Sequence, residues 1–216
     1  MIRVLIADDE TLMRAGIRLI LEHAEDIEVV AEAGDGREAA AACRAQDVDV
    51  ALVDIQMPVR DGIAAAEDIA RISPRTCVVM LTAFGEEASV TRALRAGASG
   101  FLLKDTGPAE LIRAVRLAAQ GEPVLAPRIT RQLLERHVES GRSTEAAVRR
   151  TDELTPAERD VLRLLGTGLS NAEIAEQLYL SAGTVKAHIS RILTRTGCAN
   201  RVQAAVLAHD AGLTPR

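Results

Sequence analysis

Residues 1–10 read MIRVLIADDE. An apolar run from Ile2 to Ala7 stops on three acids in a row, Asp8, Asp9 and Glu10. The run suits a buried strand, and like charges gathered at its end repel one another unless something positive binds there. Further strand-like runs are predicted at 27–33, 49–54, 76–81 and 99–103. Helical patterns fill the gaps, at 10–23, 36–45, 61–72, 86–96 and 108–119. Several of the strands are apolar throughout rather than alternating, the pattern of parallel strands covered on both faces. Five strand–helix units in succession predict an α/β domain, a doubly wound five-stranded parallel sheet. Such sheets bind ligands beyond the carboxyl ends of their strands.

Those ends carry polar residues. The first strand delivers Asp8 and Asp9, the third Asp54, the fourth Thr82 and the fifth Lys104. Any one alone reads as a solvated strand end; five at matching positions of one sheet edge read as a site. Three carboxylates suit Mg²⁺, which takes a few acidic oxygens, waters and a phosphate. A threonine hydroxyl and an ammonium beside them suit phosphoryl oxygens. Asp54 is then placed to act as a nucleophile and form an acyl phosphate.

The chain has 216 residues, enough for two domains, with 48% apolar and 26% charged residues, ordinary values for a soluble protein. Phe84, Phe101 and Tyr179 are its only aromatics. Cys43, Cys77 and Cys198 lie far apart, which offers no zinc spacing and no disulfide framework. Reduced thiols, together with the lack of a leader-like opening or an 18-residue apolar run, predict a cytoplasmic protein without a membrane span. The net charge of −5 hides an asymmetry. Residues 1–122 hold 21 acids and 13 bases, whereas 123–216 hold 10 acids and 13 bases. An acidic front and a locally basic back predict two separate tasks.

From 123 to 150 the pattern is that of a linker. Gly121, Pro123 and Pro127 break helices, 128–139 fits a short amphipathic helix, and GRSTEAAVRR (141–150) reads as a flexible link. From 151 to 216 only short helices follow. TPAE (155–158) and SNAE (170–173) are capping boxes, Ser181 can cap a helix that runs to Thr196 before Gly197, and a last helix covers 201–211. The second and third of these, joined across three residues, fit a small all-α helix-turn-helix domain.

On the helix from 184 to 196, Val185, Ile189, Ile192 and Thr196 share one face, with Leu193 at its edge. Gly183, Ala187, Ser190, Arg191 and Thr194 point away, flanked by Lys186 and His188. A face of small and basic residues can enter a major groove while bulky residues hold it from behind. Candidate DNA contacts are Thr184, Val185, Lys186, Ala187, His188, Ser190, Arg191 and Arg195, although Val185 also belongs to the core stripe. The chain has two lysines, Lys104 in the proposed pocket and Lys186 on the proposed reading helix. So few bases imply weak binding by one domain, which paired half-sites and a dimer would strengthen.

The segments ADDE (7–10), VDIQMPVRDG (53–62), LTAF (81–84) and GFLLKD (100–105), in that order, resemble the receiver domain of two-component response regulators. The stretch LTPAERDVLRLLGTGLSNAEIAEQLYLSAGTVKAHISRILTRTG (154–197) resembles the LuxR-type helix-turn-helix. Together they resemble the NarL/FixJ class over nearly the whole chain. The resemblance implies that Asp54 accepts a phosphoryl group from a phosphohistidine on a sensor histidine kinase. It implies Mg²⁺ held by Asp9, Asp54 and the Gln56 backbone carbonyl, with Asp8 acting mainly through water. Thr82 and Lys104 would grip the phosphoryl group, and Phe101 would be the switch aromatic. Lys186, Ala187 and Ser190 would lie nearest the bases of promoter DNA, and phosphorylation would favour a homodimer, release of the DNA-binding domain, or both. Two departures stand out: Asp105 takes the place of a proline after the lysine, and Phe101, lacking a hydroxyl, allows only a packing switch.

Two other readings stay open at this level. Phosphatases with an aspartyl nucleophile also use α/β sheets and Mg²⁺, but they carry a second acid two residues on, where this chain has Gln56. A DNA-binding regulator that works without phosphorylation is the other.

Overall fold

A computed structural model of the chain describes residues 1–82, 87–125 and 145–214. It divides into two compact units, Met1–Thr130 and Arg131–Arg216. The helix expected at 128–139 lies outside the described residues, as do 83–86, where the LTAF segment ends.

In the first unit, strands β1 (Ile2–Ala7), β2 (Ile27–Ala33), β3 (Val50–Asp54), β4 (Cys77–Thr82) and β5 (Gly100–Leu103) alternate with helices α1 (Thr11–Glu22), α2 (Gly36–Ala45), α3 (Gly62–Ile72), α4 (Glu87–Arg95) and α5 (Pro108–Ala119). All strand pairs are parallel, in the order β2-β1-β3-β4-β5, so the chain reverses its direction of travel between β1 and β3. In such sheets the crevice at that reversal is where ligands bind. A two-residue strand, β6 (Val124–Leu125), adds to the edge beside β5. It moves the end of this domain past 122, because Val124 and Leu125 pair with Gly100 and Phe101. Two residues are too few to show a strand period.

Strand side chains alternate between faces. Val4, Ile6, Val50, Leu52, Val79, Leu81 and Leu102 pack with Ile17 and Leu21 of α1 and Leu111, Ala114, Val115 and Ala118 of α5. Leu5, Ala51, Val53, Met80 and Phe101 alternate with them and are also buried, so both faces of the sheet are covered. That is why these strands read as continuous apolar runs. With so few aromatics, Phe101 is the largest fully buried side chain of the described residues, and burying one of its kind contributes about 1.5–3 kcal/mol.

The second unit is helical: α6 (Glu145–Asp152), α7 (Pro156–Gly166), α8 (Asn171–Leu178), α9 (Ala182–Thr196) and α10 (Arg201–Asp210). Both capping boxes form, Thr155 with Glu158 and Ser170 with Glu173. Ser181 caps α9 by accepting from the Thr184 N–H at 3.1 Å. Gly197, at φ +65, ends α9 in a left-handed conformation that a glycine adopts without strain. Val161, Leu162, Leu165, Ile174, Val185, Ile189, Ile192 and Leu207 fill the core.

The reading of 141–150 as a flexible link is corrected from Glu145 onward. Those residues open α6, whose Ala147 and Thr151 are buried. Arg150 donates from Nε and Nη2 to the Thr196 carbonyl, at 2.9 and 2.6 Å, at the carboxyl end of α9. A polar stretch whose apolar residues, Ala146, Ala147 and Val148, are consecutive carries no visible stripe, so its docking was not legible from periodicity.

Candidate functional site

The register of the sheet lines up the polar strand ends. Asp54 pairs with Leu81, Thr82 pairs with Leu103, and the Lys104 N–H donates to the Thr82 carbonyl at 3.0 Å. Ala7 pairs with Val53, which sets Asp8 level with Asp54. The carboxylates of Asp8, Asp9 and Asp54 converge, with one oxygen from each within 4.8 Å of the others. Asp8 and Asp54 are buried and Asp9 is exposed, so the cluster is open on one side.

Lys104 reaches into this cluster. Its Nζ lies 2.9 Å from Asp8 Oδ2 and 3.1 Å from Asp54 Oδ2, with Glu10 Oε1 at 3.7 Å. Burial pushes the Asp54 carboxyl up to about 6. The hydrogen bond and charge of Lys104 pull it down, the charge of Asp8 pushes it up, and the Gln56 backbone N–H pulls it down. For Lys104, burial pulls the ammonium down, but the bonds and charges of Asp8 and Asp54 outweigh that and leave it above the usual range. The arrangement is one cation shared by two buried anions, with a third anion at the mouth. It is short of positive charge by about two units, which suits a divalent cation.

The loop after β3 builds the floor. Asp61 caps α3 by accepting from the Ala64 N–H at 2.7 Å, and the Gly62 N–H donates to the Ile55 carbonyl at 3.0 Å. This brings the start of α3 against the end of β3. A Cβ at Gly62 would lie 1.8 Å from the Asp54 carbonyl oxygen, so only glycine fits. A cavity of about 500 Å³ opens beside the cluster, lined by Asp9, Gln56, Met57, Asp61 and Arg92. Thr82 is buried at the end of β4, and Phe101 is fully buried within β5.

In the helical unit, Thr184, Lys186, Ala187, Ser190, Arg191 and Arg195 are exposed on α9 and His188 is half-buried. Val185 is fully buried and is removed from the candidate DNA contacts: it packs into the core on the same stripe as Ile189 and Ile192.

Residues 4–116 match the response regulator receiver domain, and residues 152–208 match the luxR family of bacterial regulatory proteins. The chain belongs to the NarL/FixJ class of response regulators. It is 41% identical over 98% of its length, and 97% of the relative's, to the transcriptional regulatory protein YxjL of Bacillus subtilis. It is 35% identical to the nitrate/nitrite response regulator NarL of Escherichia coli, over 96% of this chain and 94% of that one. Among solved structures, the response regulator ChrA of a heme-sensing two-component system covers 98% of both chains at 37% identity and a TM-score of 0.53. A structure of two RcsB dimers bound to two parallel DNAs covers 96% of both chains at 27% identity and a TM-score of 0.55.

A response regulator of this class controls transcription, and its family is one of DNA-binding regulators rather than enzymes. The response regulator has no described helix long and apolar enough to cross a membrane. The five residues read from strand ends, Asp8, Asp9, Asp54, Thr82 and Lys104, all lie at one sheet edge. Sequence reasoning missed Glu10 as a further neighbour of Lys104, Gly62 as the residue that lets α3 close on Asp54, and Glu158 as the partner of Arg191 and Arg195. Two of them carried a signal, Glu10 at the close of ADDE and Gly62 at the close of VDIQMPVRDG.

Proposed function

We propose that this response regulator accepts a phosphoryl group on Asp54 from a phosphohistidine of a sensor histidine kinase, and that the modified protein binds promoter DNA through α9. The observation that carries the reading is Lys104 spanning Asp8 and Asp54 beside the exposed Asp9. In the transfer, the phosphorus–nitrogen bond of the donor breaks as an Asp54 oxygen bonds to phosphorus, and the imidazole departs and takes up a proton. Lys104 offers its ammonium, and Thr82 its hydroxyl, to the phosphoryl oxygens. Asp8, Asp9, Asp54 and the Gln56 backbone carbonyl would hold Mg²⁺, which when bound supplies positive charge to the carboxylates and the incoming phosphoryl group. Phe101 fits a packing switch, since it already fills the core one strand position from Leu102, inside the segment that ends at Lys104.

The receiver domain is taken as 1–125 and the DNA-binding domain as 145–216. Lys186, Ala187 and Ser190 are the proposed base-side residues, with Thr184 and His188 flanking. A cytoplasmic location and a homodimer formed on phosphorylation belong to the same reading, the latter favoured by the dimers that RcsB forms on DNA. The test is labelling by a phosphodonor: the wild type incorporates phosphate and Asp54→Asn, still folded, does not. Light scattering with Mg²⁺ and beryllofluoride then shows a shift from monomer towards dimer in the wild type alone. Undiminished labelling of Asp54→Asn overturns the assignment.

A further inference from the structure

Arg191 and Arg195 are two of the four bases between Tyr179 and His209, and both turn back onto the protein. Their common partner is Glu158, on the first turn of α7, whose side chain is 3% exposed. Its Oε2 accepts from the Thr155 N–H at 2.9 Å and from the Thr155 hydroxyl at 3.0 Å. The same oxygen lies 3.2 Å from Arg195 Nη1, and Oε1 lies 3.6 Å from Arg191 Nε. Arg195 Nη1 also donates to the Glu153 carbonyl at 3.1 Å. Arg191 and Arg195 are four residues apart and therefore share one face of α9. Burial pushes the Glu158 carboxyl up, but the two Thr155 bonds and the two guanidinium charges outweigh it and hold the group below the usual range.

A buried carboxylate is retained only where partners compensate its desolvation. Here half of those partners come from α7's own cap and half from the helix expected to read DNA. The apolar stripe of α9 is aliphatic, Val185, Ile189 and Ile192, and such packing is non-directional. It buries the right face but constrains rotation about the helix axis loosely. Two ion pairs to a fixed point add the direction that a base-reading helix needs, since a site must be held to within roughly 10–20° of its working geometry.

We infer that Glu158 is the positioning residue of the DNA-reading helix, locking the rotation of α9 through Arg191 and Arg195 so that Lys186, Ala187 and Ser190 face the groove. Arg191 and Arg195 are then clamp residues held from behind rather than contacts to phosphate. The inference rests on the DNA-binding reading of α9.

The test uses the full chain and two probes: a duplex enriched from a random pool by the wild-type protein, and poly(dI-dC) as non-specific competitor. Affinities for both are measured by anisotropy across a salt series, with thermal melts to confirm folding. Expected for Glu158→Gln and for Arg195→Gln is a loss of about tenfold or more in affinity for the selected duplex, of the order of one imperfect base contact. Poly(dI-dC) binding and the salt slope stay at wild-type values. Arg195→Lys restores most of the loss, and the double variant loses no more than either single one, as coupled partners require. Should Glu158→Gln fail to fold, Arg195→Gln, whose side chain is 43% exposed, carries the test. A salt slope lowered by about 0.9 for each Arg195 removed would mark a phosphate contact and overturn the inference. So would a folded Glu158→Gln with unchanged discrimination between the probes. If the wild type enriches no duplex and binds neither probe, the DNA-binding reading itself fails, a result distinct from both.

Discussion

The Lys104 ammonium, just past β5, lies 3.1 Å from the carboxylate of Asp54, the last residue of β3, so the pair reaches across the end of β4 between them, and the Lys104 side chain is 16% exposed. One cation this deep compensates two buried anions, Asp8 and Asp54. Removing it leaves both acids facing each other without a cation between them, each keeping only a backbone N–H, that of Glu10 for Asp8 and that of Gln56 for Asp54. Lys104→Met is therefore expected to lower the stability of the receiver domain by about 3 kcal/mol at neutral pH, the usual cost of breaking a buried pair from one side. Added Mg²⁺ should restore part of this by supplying charge at the same place. Urea titrations with and without Mg²⁺ measure both effects. A variant with the wild-type midpoint in metal-free buffer would mean that Lys104 carries no part of the balance.

Protons and metal compete for the same carboxylate. Burial raises the Asp54 carboxyl to about 6, so near neutral pH it is ionised and ready for a cation, whereas below that value it holds a proton. Metal ligands must be deprotonated, which makes the affinity pH-dependent. Mg²⁺ binding is expected to be flat at the alkaline end and to weaken by about tenfold per pH unit below about 6, as displacement of one proton requires. Calorimetric titrations at several pH values test this. An ordinary carboxylate at Asp54 would hold its affinity down to the usual acid range, near pH 4. The same raised value has a stability consequence of opposite sign to the usual acid. The folded state binds this proton more tightly than the unfolded chain, so Asp54 stabilises the fold at acid pH and that contribution is lost as pH rises through about 6.

The pocket was legible in the sequence because each of its members ends or follows a buried strand. A strand that is apolar on both faces announces where it ends, and the residue after it inherits a position at the sheet edge. Asp8 and Lys104 are the first residues after β1 and β5, and Asp54 and Thr82 are the last residues of β3 and β4. What escaped were relations between distant segments. Arg150 reads as part of a polar link, and only folding brings it to the Thr196 carbonyl. Arg191 and Arg195 read as bases on an open helix face, and nothing in their spacing points to Glu158, a residue whose capping box already explained its presence. Val185 sat on both the apolar stripe and the DNA-contact set, and packing decided for the stripe.

Gly62 sets a steric condition on the site. Its hypothetical Cβ falls 1.8 Å from the Asp54 carbonyl oxygen and 2.8 Å from the carbonyl carbon, both backbone atoms that no rotamer change can move. Gly62→Ala must push α3 away from β3 and carry Asp54 with it. The expected cost is about 3 kcal/mol, the upper end for forcing an extra carbon into a packed interior. Weakened Mg²⁺ binding should accompany it, because one ligand moves while Asp8 and Asp9 do not. Urea midpoints and Mg²⁺ titrations together decide the matter; an alanine variant with wild-type stability would show that the helix start yields at little cost.

Val59 holds the opposite condition. It is 73% exposed, yet its φ of 63° lies in the left-handed region, where a β-branched residue is rarely found. The Arg60 N–H donates to the Pro58 carbonyl at 2.6 Å across it, closing a three-residue turn. Such a turn with positive φ at its centre is the strained form. The turn is held from both sides by Arg60, whose carbonyl accepts from the Gly36 N–H at 3.0 Å and whose Nε lies 2.6 Å from Asp68 Oδ2. Glycine removes a left-handed penalty of about 1–2 kcal/mol and adds unfolded-state entropy of about 0.5–1 kcal/mol. The valine side chain stands mostly in solvent, so its removal forfeits little packing. Val59→Gly should therefore stabilise the domain by roughly 0.5–1 kcal/mol. Val59→Pro, which confines φ to negative values, should destabilise it instead. Urea midpoints of opposite sign for the two variants are the expected result, and a Val59→Gly midpoint at or below wild type would show that the turn carries no strain.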